Sequence, residues 1–167
     1  MSNLPLRMVI ALASRATPEL AARWAERLFF TPHGRRSSSR ANAFLDEGRR
    51  LDLSVDGQRV AAWSWGEPPG VLLVHGWAGI GGQLSAVGQA LLARGHGVVA
   101  FDAPGHGQSE GRLSSIVHFA RAIQAVSREV GAPQAIVAHS LGAAATTRAL
   151  AQGLAVERAV FIGPAGG

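Results

Sequence analysis

The sequence contains no cysteine and no lysine, so all 16 of its basic residues are arginine. Without cysteine, the chain cannot form a disulfide, use a thiolate nucleophile or build a cysteine-ligated metal site. The six histidines show no paired metal-ligand spacing. The glycine-rich stretches "GWAGIGG" and "GPAGG" lack the lysine, hydroxyl or following helix of a phosphate loop. We therefore predict no metal and no cofactor.

The excess of positive charge is confined to the first 50 residues. They hold nine arginines against four acids, whereas residues 51–167 hold seven of each. The stretch "RRSSSR" at residues 35–40 has no interleaved aromatic residues and is interpreted as a solvated linker. Because the larger part of the chain is neutral, we predict no nucleic-acid binding.

Residues 1–49 are predicted to form a basic helical segment followed by a linker. Thr17, Pro18 and Glu19 are typical of a helix start, and Leu20, Trp24 and Leu28 then recur every four residues. We favour packing of this helix on the main domain over binding to a membrane surface or a partner. No transmembrane segment or convincing signal peptide is present, so a cytoplasmic location is predicted. The sequence does not indicate an oligomeric state.

Residues 50–167 alternate between short apolar runs and helical periods. Asp56 and Gly57 separate two runs that predict a β-hairpin. Further strands are predicted at 71–74, 98–101, 135–138 and 159–162, and helices at 83–94, 115–130 and 141–152. The pattern predicts an α/β fold: a mostly parallel, doubly wound sheet with an N-terminal hairpin.

Polar or glycine-rich groups follow each predicted parallel strand. They are His75-Gly76-Trp77, residues 102–109, Ser140 and Gly163-Pro164. Ligands of such sheets bind beyond the carboxyl ends of the strands. We therefore expect these groups to gather at one edge of the sheet.

Three stretches together carry a resemblance to a known family. "LLVHGWAG", "VVAFDAPGHGQSEG" and "IVAHSLGAA" occur in the order and at the strand ends of the α/β-hydrolase superfamily, over about residues 50–167. The chain resembles a serine hydrolase of the esterase or lipase type. This implies an acyl substrate and Ser140 as nucleophile, on a sharp strand-to-helix turn flanked by small residues, Ala138 and Gly142. Ala138 stands where the family usually has glycine.

The resemblance also assigns roles around Ser140. The backbone N–H groups of Leu141 and Trp77 are expected to form an oxyanion hole. His139 precedes the nucleophile and is not the general base. The remaining motif residues are expected to order the turns and loops beside the site: His75, Gly76, Asp102, Gly105, His106 and Gly107.

A base and an acid for Ser140 are missing from the sequence. In this superfamily they follow the serine, first Asp or Glu and then His. After Ser140 the chain has one acid, Glu157, and no histidine. Glu157 precedes a predicted strand and should lie at the far edge of the sheet. We therefore expect an α/β-hydrolase fold without its C-terminal strands, with little turnover by this chain alone.

Two alternatives remain open. One is a non-catalytic α/β-hydrolase remnant that binds ligands or partners. The other is a surface-binding protein led by the basic N-terminal helix. A serine nucleophile disfavours haloalkane dehalogenase and epoxide hydrolase chemistry, which uses a carboxylate, but leaves ester, thioester, peptide and carbon–carbon substrates open.

The expectation that the chain is the N-terminal portion of a longer hydrolase can be checked in the gene. Reading past codon 167 should reveal a strand-associated Asp or Glu and then a His. A downstream sequence without this pair would contradict the expectation.

Overall fold

The computed structural model describes residues 8, 11, 14–33, 37–68 and 70–164. The chain forms two compact units, residues 1–31 and residues 32–167. In the first unit, helix α1 spans Pro18–Phe30. Thr17 occupies its N-cap position and Pro18 its first turn, as predicted, although the Thr17 side chain makes no capping hydrogen bond. Packing of α1 on the main domain stays a prediction.

The second unit begins with a helix that the sequence pattern did not reveal. Helix α2 spans Ser39–Asp46, and the Ser38 side chain caps it by accepting a hydrogen bond from the Ala41 N–H at 3.1 Å. Ser39 and Arg40 therefore belong to a helix and not to a linker. Residues 35 and 36 of that proposed linker lie outside the described part. The Phe44 ring stacks on Trp65 with centroids 4.2 Å apart.

The sheet has six strands in the order β1-β2-β4-β3-β5-β6. The strands are β1 Arg49–Val55, β2 Gln58–Trp65, β3 Val71–Val74, β4 Val98–Phe101, β5 Ala135–His139 and β6 Arg158–Ile162. The helices between them are a 3₁₀ turn Gly81–Leu84, α3 Ser85–Leu92, α4 Ile116–Glu129 and α5 Leu141–Ala151. The hairpin β1-β2 pairs antiparallel with β4, and β4, β3, β5 and β6 are mutually parallel.

Each face of the sheet carries its own apolar core, which confirms the predicted doubly wound α/β fold. Leu72 and Val74 of β3 face α4 and α5, whereas Leu73 faces α2 and α3. All four residues of β3 and all four of β4 are buried. Their continuous apolar runs are what a parallel strand covered on both faces requires.

Strand β6 forms one edge of the sheet, and all five of its residues are exposed. Val160 is 53% exposed, and Phe161 and Ile162 are 39% exposed each. On its outer side, β6 has no partner strand among the described residues. Unpaired apolar edges of this kind can template association with another strand.

The parallel register brings the ends of β3, β4 and β5 together. Val74 pairs with Ala138, and Leu73 pairs with both Ala100 and Val137. The segments that follow these strands therefore leave the sheet at one edge, as predicted. This edge holds the candidate site.

We expect Phe44→Ala to destabilise the second unit by about 3–5 kcal/mol, because it empties the fully buried contact with Trp65. Phe44 is 1% exposed, whereas Phe29 of α1 is 75% exposed and is a matched control for the same substitution. Phe29→Ala should change stability by no more than about 0.5 kcal/mol. Urea unfolding followed by tryptophan fluorescence measures both. Equal effects would show that α2 does not contribute to the core.

Candidate active site

Ser140 lies on a strained turn between β5 and α5. Its φ of 50° and ψ of −118° place a non-glycine residue in a region that normally costs about 1–3 kcal/mol. The Ser140 N–H donates to the Ile162 carbonyl of β6 at 3.0 Å, which ties the turn to the neighbouring strand. The Ser140 side chain is partly exposed and forms no hydrogen bond with the described residues. Such a turn lifts a hydroxyl above the sheet edge.

The turn needs small residues on both sides of Ser140. A Cβ on Gly142 would lie 2.5 Å from the His75 carbonyl oxygen and 2.9 Å from the Val74 side chain. Ala138 is fully buried between Val74 of β3 and Phe161 of β6. The close approach of β3 to α5 therefore requires glycine at 142 and tolerates the single methyl group at 138.

The segment after β3 forms a tight turn against Ser140. The Gly79 N–H donates to the Gly76 carbonyl at 3.1 Å, with Trp77 and Ala78 at the centre of the turn. A Cβ on Gly76 would lie 3.1 Å from the Ser140 Cβ and 2.7 Å from His139 Nδ1. We call residues 76–79 the oxyanion turn, after the role that the sequence predicts for Trp77.

Neither the Trp77 amide nor the Leu141 amide has a hydrogen-bond partner within the described residues. Leu141 is the first residue of α5, where N–H groups lack intrahelical acceptors and the helix dipole favours negative charge. The Trp77 N–H points opposite to the Gly76 carbonyl, because both belong to one planar trans peptide. That carbonyl is held by the Gly79 N–H and by His75.

His75 is a buried structural residue in this geometry. Its Nε2 accepts a hydrogen bond from the Ala103 N–H at 2.9 Å, so the proton lies on Nδ1 and is donated to the Gly76 carbonyl at 2.7 Å. Burial lowers the pKa of His75 to about 3, with a smaller contribution from the nearby His106. His75 is thus neutral with both ring nitrogens engaged, and it has no lone pair left for Ser140.

The loop after β4 is organised by Asp102. This fully buried carboxylate accepts hydrogen bonds from the Gly81 and Gln108 amides, each at 2.6 Å. A Cβ on Gly107, where φ is +48°, would lie 1.9 Å from Asp102 Oδ2. Gly105, with φ +77°, forms the same loop and donates its N–H to Glu110. Asp102 binds backbone groups here, which suits the loop-ordering role predicted for it.

His106 reaches from this loop to the oxyanion turn. Its Nε2 accepts a hydrogen bond from the Ala78 N–H at 3.2 Å, and its Nδ1 contacts the Pro104 carbonyl at 3.1 Å. Burial lowers the pKa of His106, which keeps the ring neutral. Like His75, it is occupied by backbone groups and does not act on Ser140.

Two residues of the site escaped sequence reasoning. Gln83 accepts a hydrogen bond from the Gly76 N–H through Oε1 at 2.8 Å. Ser109 accepts one from the Ala61 N–H at 2.9 Å and donates to the Asp102 carbonyl. The sequence pattern predicts Gln83 only as the first residue of a helix, and a single glutamine gives no signal of a contact seven residues back. The motif around Ser109 does not by itself indicate a role for its hydroxyl.

No general base for Ser140 is formed by the described residues. The Nδ1 atom of His139 is buried without a hydrogen-bond partner in the described structure, beside Gly76. Glu157 directly precedes β6, whereas Ile162 at the other end of β6 binds the Ser140 turn. A five-residue strand separates the two ends by roughly 16 Å. The position of Glu157 therefore agrees with the expectation that it cannot orient a base.

Among the described residues, no group of three His, Asp or Glu side chains could hold a metal ion. In the same part of the chain, no helix has the length and apolar content that crossing a bilayer requires.

Residues 71–167 match the alpha/beta hydrolase family. An epoxide hydrolase from Vigna radiata is 26% identical with a TM-score of 0.62, over 70% of this chain and 38% of that protein. A thioesterase domain from the curacin biosynthetic pathway is 31% identical with a TM-score of 0.62, over 69% of this chain and 46% of that domain. The esterase Pf2001 from Pyrococcus furiosus, 18% identical, shares the fold with a TM-score of 0.68, over 80% of this chain and 58% of that protein.

The chain therefore spans 38% to 58% of the length of these three proteins. No curated protein sequence matches it significantly.

The depressed pKa of His75 predicts that acid destabilises the fold. Between about pH 6.5 and about pH 3, the unfolded chain binds a proton that the folded chain does not. The contribution of His75 is complete above pH 6.5 and falls by up to about 1.4 kcal/mol for each pH unit below it. Urea unfolding at about pH 7.5 and about pH 5 measures the free energy of unfolding of each protein. Between these pH values it should fall less in His75→Gln than in the wild type, because the glutamine amide does not titrate. The same loss in both proteins would contradict this assignment.

Proposed function

Because this chain belongs to the alpha/beta hydrolase family, we propose that it carries the nucleophile of a serine hydrolase acting on carboxylic esters or related acyl compounds. The observation that carries the proposal is the strained turn at Ser140, together with the unpartnered amides of Trp77 and Leu141. A serine in this conformation has no evident structural use that an unstrained residue would not serve better. The free-energy cost of the strained backbone at Ser140 is explained by a reaction that needs an exposed hydroxyl.

The proposed reaction is acyl transfer. Ser140 Oγ attacks the substrate carbonyl while a base takes the hydroxyl proton, and the carbonyl oxygen becomes an oxyanion. The Trp77 and Leu141 N–H groups stabilise that charge, and removal of one such donor typically costs about 10²–10³ in rate. Collapse of the intermediate expels the protonated leaving group and leaves an acyl ester on Ser140, which water then hydrolyses.

The 167-residue chain is proposed to be a poor catalyst by itself. His75 and His106 are neutral, buried and bonded to backbone groups, and the described structure holds no histidine hydrogen-bonded to Ser140. A serine hydroxyl without a base is a weak nucleophile. The proposed acyl transfer therefore requires a base that the described residues do not supply.

The similar structures include an epoxide hydrolase and a thioesterase, which represent two different reactions of the hydrolase family. The residue at the strained turn, Ser140, supports acyl transfer over epoxide hydrolysis. Epoxide hydrolases of this superfamily use a carboxylate nucleophile, whereas this chain has a hydroxyl at position 140. We propose a small acyl substrate and no nucleic acid, since residues 51–167 carry balanced charge. A cytoplasmic location stays a prediction.

A second candidate function is ligand or partner binding without catalysis. The engagement of both ring nitrogens of His75 and His106 favours it over turnover by this chain. The two functions differ in one respect, which is whether Ser140 accepts an acyl group.

Acylation can be tested by supplying the missing base. We expect a p-nitrophenyl ester, with added imidazole as base, to leave one acyl group on the peptide that contains Ser140. Once the imidazole is removed by desalting, the acyl group should persist, because deacylation also needs a base. Intact mass and peptide mass spectrometry measure it. Ser140→Ala should remove the acyl group, whereas Ser64→Ala, a partly buried serine of β2, should not.

Acylation that is equal in Ser140→Ala, or spread over several serines, would overturn the acyl-transfer proposal. It would favour the non-catalytic function. Release of nitrophenol by imidazole alone does not affect this result, because the measured quantity is the mass of the protein.

A further inference from the structure

The oxyanion turn is strained at Ala78. Its φ is +56° at the third position of a turn closed by the Gly79 N–H and the Gly76 carbonyl. This is the geometry of a type II turn, which favours glycine at that position. An alanine there costs roughly 1–2 kcal/mol, because its Cβ approaches the following carbonyl oxygen. Something outside the turn must therefore stabilise this conformation.

The Ala78 amide has one hydrogen-bond partner in the described structure, the Nε2 atom of His106 at 3.2 Å. The donor is a backbone N–H, so Nε2 is the acceptor and the imidazole proton lies on Nδ1, facing the Pro104 carbonyl. Burial lowers the pKa of His106 and keeps Nε2 available as an acceptor at neutral pH. The bond joins the turn after β3 to the loop after β4.

The His106 ring is itself held in place. It is 2% exposed and packs edge-on against Trp77 at 5.4 Å and Phe119 of α4 at 5.1 Å between ring centroids. Its Nδ1 is fixed by Pro104. The acceptor atom therefore has little freedom to follow the turn if the turn moves.

The orientation of the Trp77–Ala78 peptide depends on this bond. A type I turn over the same residues would need a negative φ at Ala78 and would rotate the central peptide, taking its N–H away from His106. The preceding peptide, Gly76–Trp77, is held at its carbonyl by His75 and by the Gly79 N–H. Trp77 lies between the two peptides, so its position is restrained from both sides only while the His106 bond is present.

We propose that His106 is a positioning residue of the acyl-transfer site, whose Nε2 holds Ala78 in its strained conformation and thereby restrains the Trp77 oxyanion donor. This proposal rests on the proposed function, because the Trp77 amide has that role only in acyl transfer. His106 does not touch the reacting atoms. It acts through the oxyanion turn, from the loop that follows β4.

The main variant is His106→Phe, which keeps an aromatic ring against Trp77 and Phe119 and removes the acceptor. The compensating variant adds Ala78→Gly, because glycine adopts a positive φ without strain. His96→Phe makes the same chemical change at an exposed residue just before β4, at the opposite end of the strands, and serves as the control.

Two measurements are made on each protein. The first is amide hydrogen exchange and amide chemical shift at Trp77 and Gly79, which report the turn directly. The second is the initial rate of Ser140 acylation with imidazole present. We expect His106→Phe to speed exchange at Gly79 and to slow acylation by about tenfold, less than the loss of a whole donor. The added Ala78→Gly should restore most of the slow exchange at Gly79 and most of the acylation rate. His96→Phe should change neither the exchange nor the rate.

Unchanged exchange and shifts in His106→Phe would overturn the proposal, as would a double variant no better than the single one. A different result would overturn only the proposed function and leave the role of His106 in the turn intact. In that result the wild-type chain is not acylated, but exchange in the turn rises in His106→Phe and returns in the double variant. If His106→Phe does not fold, His106→Gln and His106→Met replace it. Gln offers an acceptor and should keep Gly79 exchange slow, whereas Met of similar length should not; equal exchange in the two would overturn the proposal.

Discussion

The close approach of the oxyanion turn to the start of α5 determines most of the candidate site. A Cβ on Gly142 would lie 2.5 Å from the His75 carbonyl oxygen, so the start of α5 can lie this close only with glycine at that position. Gly76 lets the turn lie against the Ser140 side chain. A methyl group at either position would separate the two segments. Both glycines are therefore needed for the oxyanion turn and the start of α5 to meet beside Ser140.

This approach leaves the side chains of His75 and Asp102 buried, and backbone groups satisfy both of them. His75 joins the Gly76 carbonyl to the Ala103 amide, and Asp102 binds the amides of Gly81 and Gln108. A buried polar group without a partner costs about 1–3 kcal/mol, so these bonds are needed for the loops to be buried at all. The same bonds make the groups unsuitable for acid–base chemistry. The residues nearest the nucleophile are therefore structural, although their chemical types suggest catalysis.

The sequence predicted β3 and β4 well because they are buried on both faces and stand as continuous apolar runs between glycines and prolines. The hairpin followed from Asp56 and Gly57, where the turn itself requires a positive φ. Helix α2 escaped prediction, since eight residues are too short to establish a period and Ser38 looked like part of a serine-rich linker. Its stability comes from Phe44 stacking on Trp65, a contact between residues 21 positions apart.

The sequence by itself determined the order of the elements, the edge of the sheet where polar groups collect and the identity of Ser140 as the candidate nucleophile. These depend on local patterns: apolar runs, turn residues and small residues on either side of a serine. The tertiary structure decided which ring nitrogens are free, which amides are unpartnered and why an alanine adopts a positive φ at position 78. Those properties depend on contacts between β3, β4 and α5, and spacing along the chain does not encode which atoms of those segments meet.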